Sequence, residues 1–190
     1  MRIVVTEFVT LDGVIEDPGG SENTPNGGWA FRFERGPEGD KFKLEELRDA
    51  DAQLLGRTTY EGFAAAWPSI KDDVGFAEYM NSMPKYVVSS TLQKADWNNS
   101  SILRGNVVEE VTRLKQQPGR DILVAGSAQL VHTLAQHHLV DEYRLMIYPV
   151  VLGGGKRLFV DGQPPTSLKI VESRQTGAVL TVRLQPFSTP

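Results

Sequence analysis

The sequence predicts an α/β fold: a mainly parallel central sheet flanked by helices, with antiparallel strands added at the C-terminal end. Three observations carry this. Short apolar, β-branched runs at residues 3–11, 52–56, 86–90 and 121–126 alternate with segments of helical periodicity, a pattern that demands crossover connections and therefore parallel pairing. After residue 140 the alternation stops, and strand-like stretches at 142–152, 168–174 and 178–187 follow with little helical signal between them. Finally, 190 residues of which 40% are hydrophobic suffice for one well-buried core, so a single domain over residues 1–190 is expected.

Each element has its own justification. Residues 3–11 are β-branched and apolar, broken by Thr6, Glu7 and Thr10, and end at the turn Asp12-Gly13. Residues 16–39 are rich in Gly, Pro, Asn and Glu, with Pro18-Gly19-Gly20 and Asn26-Gly27-Gly28 as turn signals. A loop this long in a compact domain is more often functional or disordered than a simple connector. A helix is expected over 40–49, with Leu44 and Leu47 on one face. The strand at 52–56 runs into a helix opened by Thr58, with Glu61 completing a capping-box pattern. The strand at 86–90 ends in Ser89-Ser90. Val107, Val108, Val111 and Leu114 then recur at helical spacing, with Glu109 and Arg113 placed as an i,i+4 pair. The strand at 121–126 leads into a helix carrying Leu130, Val131 and Leu134 on one face, and Thr176-Gly177 is the expected turn between the last two strands.

Composition excludes several functions. A net charge of −4 without any basic run argues against a nucleic-acid partner or a membrane-surface patch. The absence of cysteine removes disulfides, thiolate nucleophiles and cysteine-ligated metals. His132, His137 and His138 lack the spacing and the glutamate of a zinc helix, so no metal is expected. The N-terminus enters a strand-like run without the apolar core of a signal peptide, and no stretch reaches membrane-spanning length, which makes the cytoplasm the expected location. Neither GxGxxG, nor the P-loop pattern, nor a GxSxG elbow is present.

Two strand-to-helix junctions could carry chemistry. At Leu55-Gly56-Arg57-Thr58-Thr59-Tyr60-Glu61 a helix N-terminus offers unpaired N–H groups and positive dipole. Gly56 permits close approach, Arg57 offers a bidentate fork, and two threonines add donors. The plainer alternative is an ordinary N-cap at Thr58 beside a solvated arginine. At Val124-Ala125-Gly126-Ser127-Ala128-Gln129 small residues let the backbone approach a ligand at the carboxyl end of a parallel strand, or Ser127 merely caps a helix. The run Gly153-Gly154-Gly155 is either a flexible turn or a close-approach surface.

Taken in order, Thr10-Leu11-Asp12-Gly13, Leu54-Leu55-Gly56-Arg57-Thr58-Thr59-Tyr60-Glu61, Val88-Ser89-Ser90 and Val124-Ala125-Gly126-Ser127 resemble the dihydrofolate reductases. Residues 139–145, Pro149-Val150-Val151-Leu152-Gly153-Gly154-Gly155 and Arg157-Leu158-Phe159 resemble a narrower group, the C-terminal reductase domain of the bifunctional riboflavin-biosynthesis deaminase–reductase and its stand-alone relatives. The resemblance covers roughly residues 3–184. It implies a dihydrofolate-reductase-like fold with NADPH along the carboxyl edge of the sheet. By position, Arg57, Thr58 and Thr59 would hold the 2′-phosphate side, with Gly56 at the junction. Ser89 and Ser90 would lie by the adenosine, Gly126, Ser127, Ala128 and Gln129 would cradle the pyrophosphate, and Asp12 and Gly13 would approach the nicotinamide.

Two departures qualify it: dihydrofolate reductases carry Gly-Gly where this chain has Gly126-Ser127, and no upstream zinc deaminase domain is expected here. In dihydrofolate reductases a carboxylate early in the first helix contacts substrate, about sixteen residues before the strand-end glycine. Asp40 matches that spacing to Gly56 and is the candidate acid, or else it N-caps its helix.

The resemblance thus implies an NADPH-dependent oxidoreductase that transfers a hydride to a small polar substrate, reducing the ribosyl group of a phosphoribosylamino-pyrimidine to its ribityl form. Trp29 in the long loop, Gly154 in the triglycine and Lys156 beside it are candidate substrate contacts, with Arg157 a further cation for the substrate's phosphate. Relatives of this type imply a homodimer. A dihydrofolate or other pteridine reductase is the alternative enzyme, with Trp29, Phe31, Phe33 and Asp40 as its pocket. A non-catalytic ligand-binding module is the alternative from another class.

Overall fold

The computed structural model describes residues 1–187 as one eight-stranded sheet with the strand order β4-β3-β2-β5-β1-β6-β8-β7. The elements are β1 (Arg2–Thr10), α1 (Gly36–Asp49), β2 (Ala50–Gly56), α2 (Arg57–Ala66), α3 (Phe76–Ser82), β3 (Lys85–Val88), β4 (Ser100–Leu103), α4 (Val107–Gln116), β5 (Asp121–Val124), α5 (Ala128–Gln136), β6 (Glu142–Tyr148), β7 (Ser167–Thr176) and β8 (Val179–Phe187). Strands β1 to β6 pair in parallel, while β8 joins β6, and β7 joins β8, antiparallel. The expected α/β class, with its antiparallel C-terminal addition, is the observed one. No helix among the described residues is long and apolar enough to cross a membrane.

Alternating side chains of the central strands feed two cores. Ile3, Val5, Leu54, Ile122 and Val124 face Val111 and Leu114 of α4 and Leu130, Val131 and Leu134 of α5. Val4, Leu55, Val87 and Leu123 face Leu47, Tyr60 and Met80 of α1, α2 and α3. Strand β1 therefore crosses through α1 on one face to β2, and β5 crosses through α5 on the other face to β6 on the far side of β1. The chain reverses direction between β5 and β1, the place where open α/β sheets bind ligands beyond the carboxyl ends of their strands.

Several local expectations fail for identifiable reasons. Helix α1 begins at Gly36, not at Asp40, with Arg35 as its N-cap and a proline in its first turn. Pro37 looked like loop, yet proline is favoured where a helix's first N–H groups have no partner. Asp40 is therefore no N-cap. Helix α2 begins at Arg57 with Gly56 as N-cap, so the capping box at Thr58 does not form, and Glu61 lies 3.7 Å from Arg57 instead. On α4, Arg113 pairs with Glu110 at 3.2 Å rather than with Glu109. Helix α3 and the edge strand β4 carry weak periodicity and were not anticipated.

The long segment after β1 is a built structure. Asp17, 2% exposed, accepts from the Glu22 and Thr24 backbone N–H groups and the Thr24 hydroxyl, each at 3.0 Å. Its carbonyl accepts from Gly20 and Gly28. A 3-10 turn at Trp29–Arg32 follows. Trp29 is fully buried, donates its indole N–H to the Glu16 carbonyl at 2.9 Å and packs edge-on to Tyr148.

Candidate functional site

The two junctions singled out in the sequence lie side by side, because β2 pairs directly with β5. The Gly56 N–H donates to the Gly126 carbonyl at 3.2 Å. A Cβ on Gly56 would stand 2.2 Å from Ser127 Oγ, so only glycine lets the second junction close on the first. Gly126 has φ 84, and a Cβ there would stand 2.9 Å from Thr59 Oγ1 and 3.7 Å from Glu7 Oε1. The Gly126–Ser127 peptide is cis.

Both helices open toward this place without a side-chain cap. Neither Gly56, the N-cap of α2, nor Ser127, the N-cap of α5, makes a side-chain hydrogen bond to its helix. Their first-turn N–H groups and helix dipoles thus converge on one crevice, an arrangement suited to anionic oxygen. Helix α2 is held in place by Tyr60, buried at 3% exposure, whose hydroxyl accepts from the Trp97 N–H at 3.0 Å. Arg57 is half exposed at the mouth. Thr58 and Gln129 are exposed, and Ala128 is buried beneath them.

The third wall is β1. Strand β5 ends at Val124, opposite Val5, while β1 runs on to Thr10. Past Val5 the strand has no β5 neighbour, and Glu7 lies there. Its side chain was not anticipated as part of any site. Glu7 is 8% exposed, and its Oε1 has no hydrogen-bond partner among the described residues. Burial pushes its carboxyl up to about 8, against the opposing pull of the Lys43 ammonium and the Gly126 backbone. On the opposite face of β1, Lys43 reaches from α1 to Thr6 Oγ1 and to Glu46 Oε2 at 2.5 Å. Thr6 also donates to Glu46 Oε2 at 2.7 Å. Glu46, 3% exposed, likewise leaves Oε1 without a partner among the described residues.

Next to this cluster is a cleft of about 390 Å³ lined by Phe8, Phe31, Phe33, Arg35, Asp40 and Tyr148. The Arg35 guanidinium and the Lys43 ammonium stand over the Phe8 ring at 5.7 and 5.3 Å. Asp40 lines the cleft but is largely exposed and paired with Arg35 at 2.5 Å, so it is not the buried carboxylate a pteridine pocket would want. Phe31 is 81% exposed. Trp29 is fully buried under the loop, a position that fits it to tack the loop down rather than to touch substrate.

Other expected contacts have partners of their own. Asp12 accepts from the Thr10 hydroxyl at 2.6 Å and from the Leu152 and Gly153 N–H groups. These bonds, the Thr10 hydroxyl first, hold its carboxyl down at about 2. Its side chain thus organises the triglycine loop, and Gly13 beside it takes φ 82. Lys156 is paired with Glu16 at 2.7 Å, and Arg157 donates to the Asp12 carbonyl, while Gly154 is exposed. Ser89 accepts from Thr91 and Leu92 N–H groups and shapes its own turn. Ser90 is exposed next to it.

The chain belongs to the RibD C-terminal domain family, whose family model matches residues 2–182. It is 35% identical over 176 residues to the Bacillus subtilis (strain 168) protein named Uncharacterized protein YyaP, covering 91% of this chain and 88% of that one. Among solved structures it is similar to a protein of Shewanella sp. PV-4, provisionally named a riboflavin biosynthesis protein. The TM-score is 0.77 at 18% identity, over 99% of this chain and 100% of that one. It also resembles dihydrofolate reductase from Enterococcus faecalis complexed with NADP(H), at TM-score 0.58 and 14% identity, over 98% of this chain and 97% of that one. These two likenesses establish the dihydrofolate-reductase-like fold.

Proposed function

We propose that this member of the RibD C-terminal domain family is an NADPH-dependent reductase of the riboflavin-biosynthesis type, acting on the ribosyl group of 5-amino-6-(5-phosphoribosylamino)uracil. The observation that carries the reading is the pair of side-chain-uncapped helix N-termini, α2 and α5, converging at the switch crevice over Gly56 and Gly126. Both glycines let the two junctions close together where a Cβ would meet Ser127 or Thr59, which brings the two helix N-termini side by side for a diphosphate-linked nucleotide. Arg57, Thr58 and Thr59 would hold the 2′-phosphate side. Gly126, Ser127, Ala128 and Gln129 would face the pyrophosphate, and Ser90 the adenosine. NADPH supplies a hydride from its dihydronicotinamide ring; the protein orients, excludes water and supplies the field. The aromatic cleft beside β1, with Arg35 and Asp40 at its mouth, is the natural place for the acceptor. The reading brings with it one reductase domain working as a homodimer in the cytoplasm.

The test is a pair of titrations, NADPH and NADH, on wild type and Arg57→Ala at matched ionic strength. Wild type should bind NADPH and gain thermal stability from it. Arg57→Ala should weaken NADPH binding by about 1.5–3 kcal/mol, the worth of a hydrogen bond to a charged group, and leave NADH nearly unchanged. Equal weakening of both cofactors would make Arg57 structural. No response of the wild type to NADPH would end the reading. Binding without NADPH oxidation, with either the pyrimidine or dihydrofolate as acceptor, would favour a ligand-binding module.

A further inference from the structure

We infer that Arg35 decides which acceptor the aromatic cleft takes: its guanidinium grips a carbonyl oxygen of a flat pyrimidinedione ring, in preference to an amino-substituted ring, while Phe31 covers the ring's face. The inference rests on the reductase reading above, which assigns this cleft to the acceptor. Three observations carry it. The cleft, about 390 Å³ in volume, has aromatic walls in Phe8, Phe31, Phe33 and Tyr148, and Arg35 is the single cation among its lining residues. An apolar cleft with a few convergent polar groups is the usual form of a small-molecule site. Arg35 is laid across the wall of this cleft. Its guanidinium carbon stands 5.7 Å from the centre of the Phe8 ring, a stacked cation–π position. Its Nε donates to Asp40 Oδ1 at 2.5 Å, and the Tyr148 hydroxyl lies close enough to feel its charge. Among the described residues neither Nη group donates to a carboxylate or a carbonyl, so their N–H bonds are left for a ligand.

The chain gives up helix stability to hold this pose. Gly39 lies inside α1, where glycine is less favourable than alanine. A Cβ there would stand 2.9 Å from Arg35 Cβ and 3.2 Å from Met146 Cε, so the missing side chain lets Arg35 lie back against the first turn and over Phe8. Phe31 is placed with similar care. It is 81% exposed, yet Trp29 and Ala30 before it are buried, and its N–H donates to the Gly28 carbonyl at 3.3 Å. An anchored turn thus holds an apolar ring open at the rim of the cleft, where a flat ligand would give it a stacking partner. The choice of ring follows from the donor inventory. A guanidinium has donors and no acceptor, so it suits a carbonyl oxygen and opposes an amino group in the same place. Asp40 is a poor rescuer of such a group, because Oδ1 is already held by Arg35 and the side chain is 63% exposed to water.

The experiment titrates the intact protein with 6-aminouracil and with 2,4,6-triaminopyrimidine, the same ring with its two oxygens replaced by amino groups. Calorimetry at pH 8 should show the uracil binding tighter by about ten-fold or more. Arg35→Gln should weaken 6-aminouracil by about ten- to a hundred-fold, the worth of hydrogen bonds to a charged group, and should erase the preference. Arg35→Lys should recover only part of it, having the charge without the planar fork. Phe31→Ala should weaken flat uracil and leave puckered dihydrouracil unchanged. NADPH affinity and melting temperature should stay close to wild type in all three variants, which separates loss of the contact from loss of the fold. Where the phosphoribosylaminouracil is reduced, Arg35→Gln should raise KM with kcat nearly unchanged, the mark of a binding contact. Equal or tighter binding of the triaminopyrimidine, a preference that survives Arg35→Gln, or no 6-aminouracil binding by a wild type that binds NADPH would each overturn the assignment. Failure of the wild type to bind NADPH would instead strike the reductase reading.

Discussion

Two buried charged clusters share the central strands of this protein, one at each end, and they are built on opposite plans. At the amino end of β1, β5 and β6, Asp121 and Glu142 meet Arg2, Arg144, Arg183 and Gln185. Asp121 accepts from Arg2 Nε and Nη2 and from Arg144 Nη2 at 2.8–2.9 Å. Glu142 accepts from Arg144 at 2.6 Å, from Arg183 and Gln185 at 3.0 Å and from Arg2 at 3.3 Å. All four carboxylate oxygens are used. At the carboxyl end, Glu46 takes Lys43 and Thr6 on one face of β1 while Glu7 lies on the other, and an oxygen of each goes unpaired among the described residues. Burial acts on both clusters, but the outcome differs. Burial works to raise the Glu142 carboxyl, yet the hydrogen bonds from Arg144, Gln185 and Arg183 overcome it and hold the group at about 2. At Glu7 burial wins, and the carboxyl stands at about 8. A fully satisfied network serves the fold; a half-satisfied one costs stability.

The largest test of that contrast is Glu142→Ala. It leaves Arg144, 5% exposed at its side chain, facing Asp121 alone, so unfolding free energy should drop by about 3–5 kcal/mol, the usual cost of breaking a buried pair. Glu7→Gln should cost little at pH 5. Denaturant unfolding of both variants measures the difference, and an equal loss in both would abolish the distinction.

A finer test uses pH, because the two carboxyls pull stability in opposite directions. Glu142 is lowered from an ordinary 4.5, so its contribution is fully present above that value and is lost as pH falls through about 2. Glu7 is raised from 4.5 to about 8, so the folded state keeps a proton that the unfolded chain releases. Its contribution is whole below 4.5 and is lost as pH rises through about 8, with a slope of up to about 1.4 kcal/mol per pH unit. Stability of wild type relative to Glu7→Gln should therefore fall between pH 5 and 8. A constant difference across that range would show that Glu7 ionises normally.

The smallest expected effect is at Asp40. Its pair with Arg35 is exposed on both sides, and such pairs are worth about 0–1 kcal/mol. Asp40→Asn should leave the melting temperature nearly unchanged. A drop of several degrees in the melting temperature would show that the pair matters to the fold.

Much of the fold was legible because it depends on local patterns. Strands at 52–56 and 121–126 read as buried runs, and Leu130, Val131 and Leu134 announced the face of α5. The start of α1 was misread because Pro37 was taken for loop when it lies in the first turn of the helix. The two strand-to-helix junctions were legible too, since Gly56-Arg57 and Gly126-Ser127 are each contiguous in sequence. Glu7 was not. In the sequence it merely interrupts an apolar run, although a charged residue inside a central parallel strand, covered on both faces, is a signal in itself. Lys43 and Glu46 carry no signal of their own in the sequence.

The sequence by itself determined the order of elements, the two junctions and their glycines, because each is set by residues within a turn or two of one another. Which carboxyl would be buried, and which oxygen left free, was decided only in the tertiary structure. Glu7 feels the charge of Lys43 from a helix in the next crossover, and the backbone of Gly126 from a junction over a hundred positions further along the chain. Its affinity for a proton follows from the water those neighbours exclude and the charge they bring, and neither exists until β1, β5 and α1 have packed together.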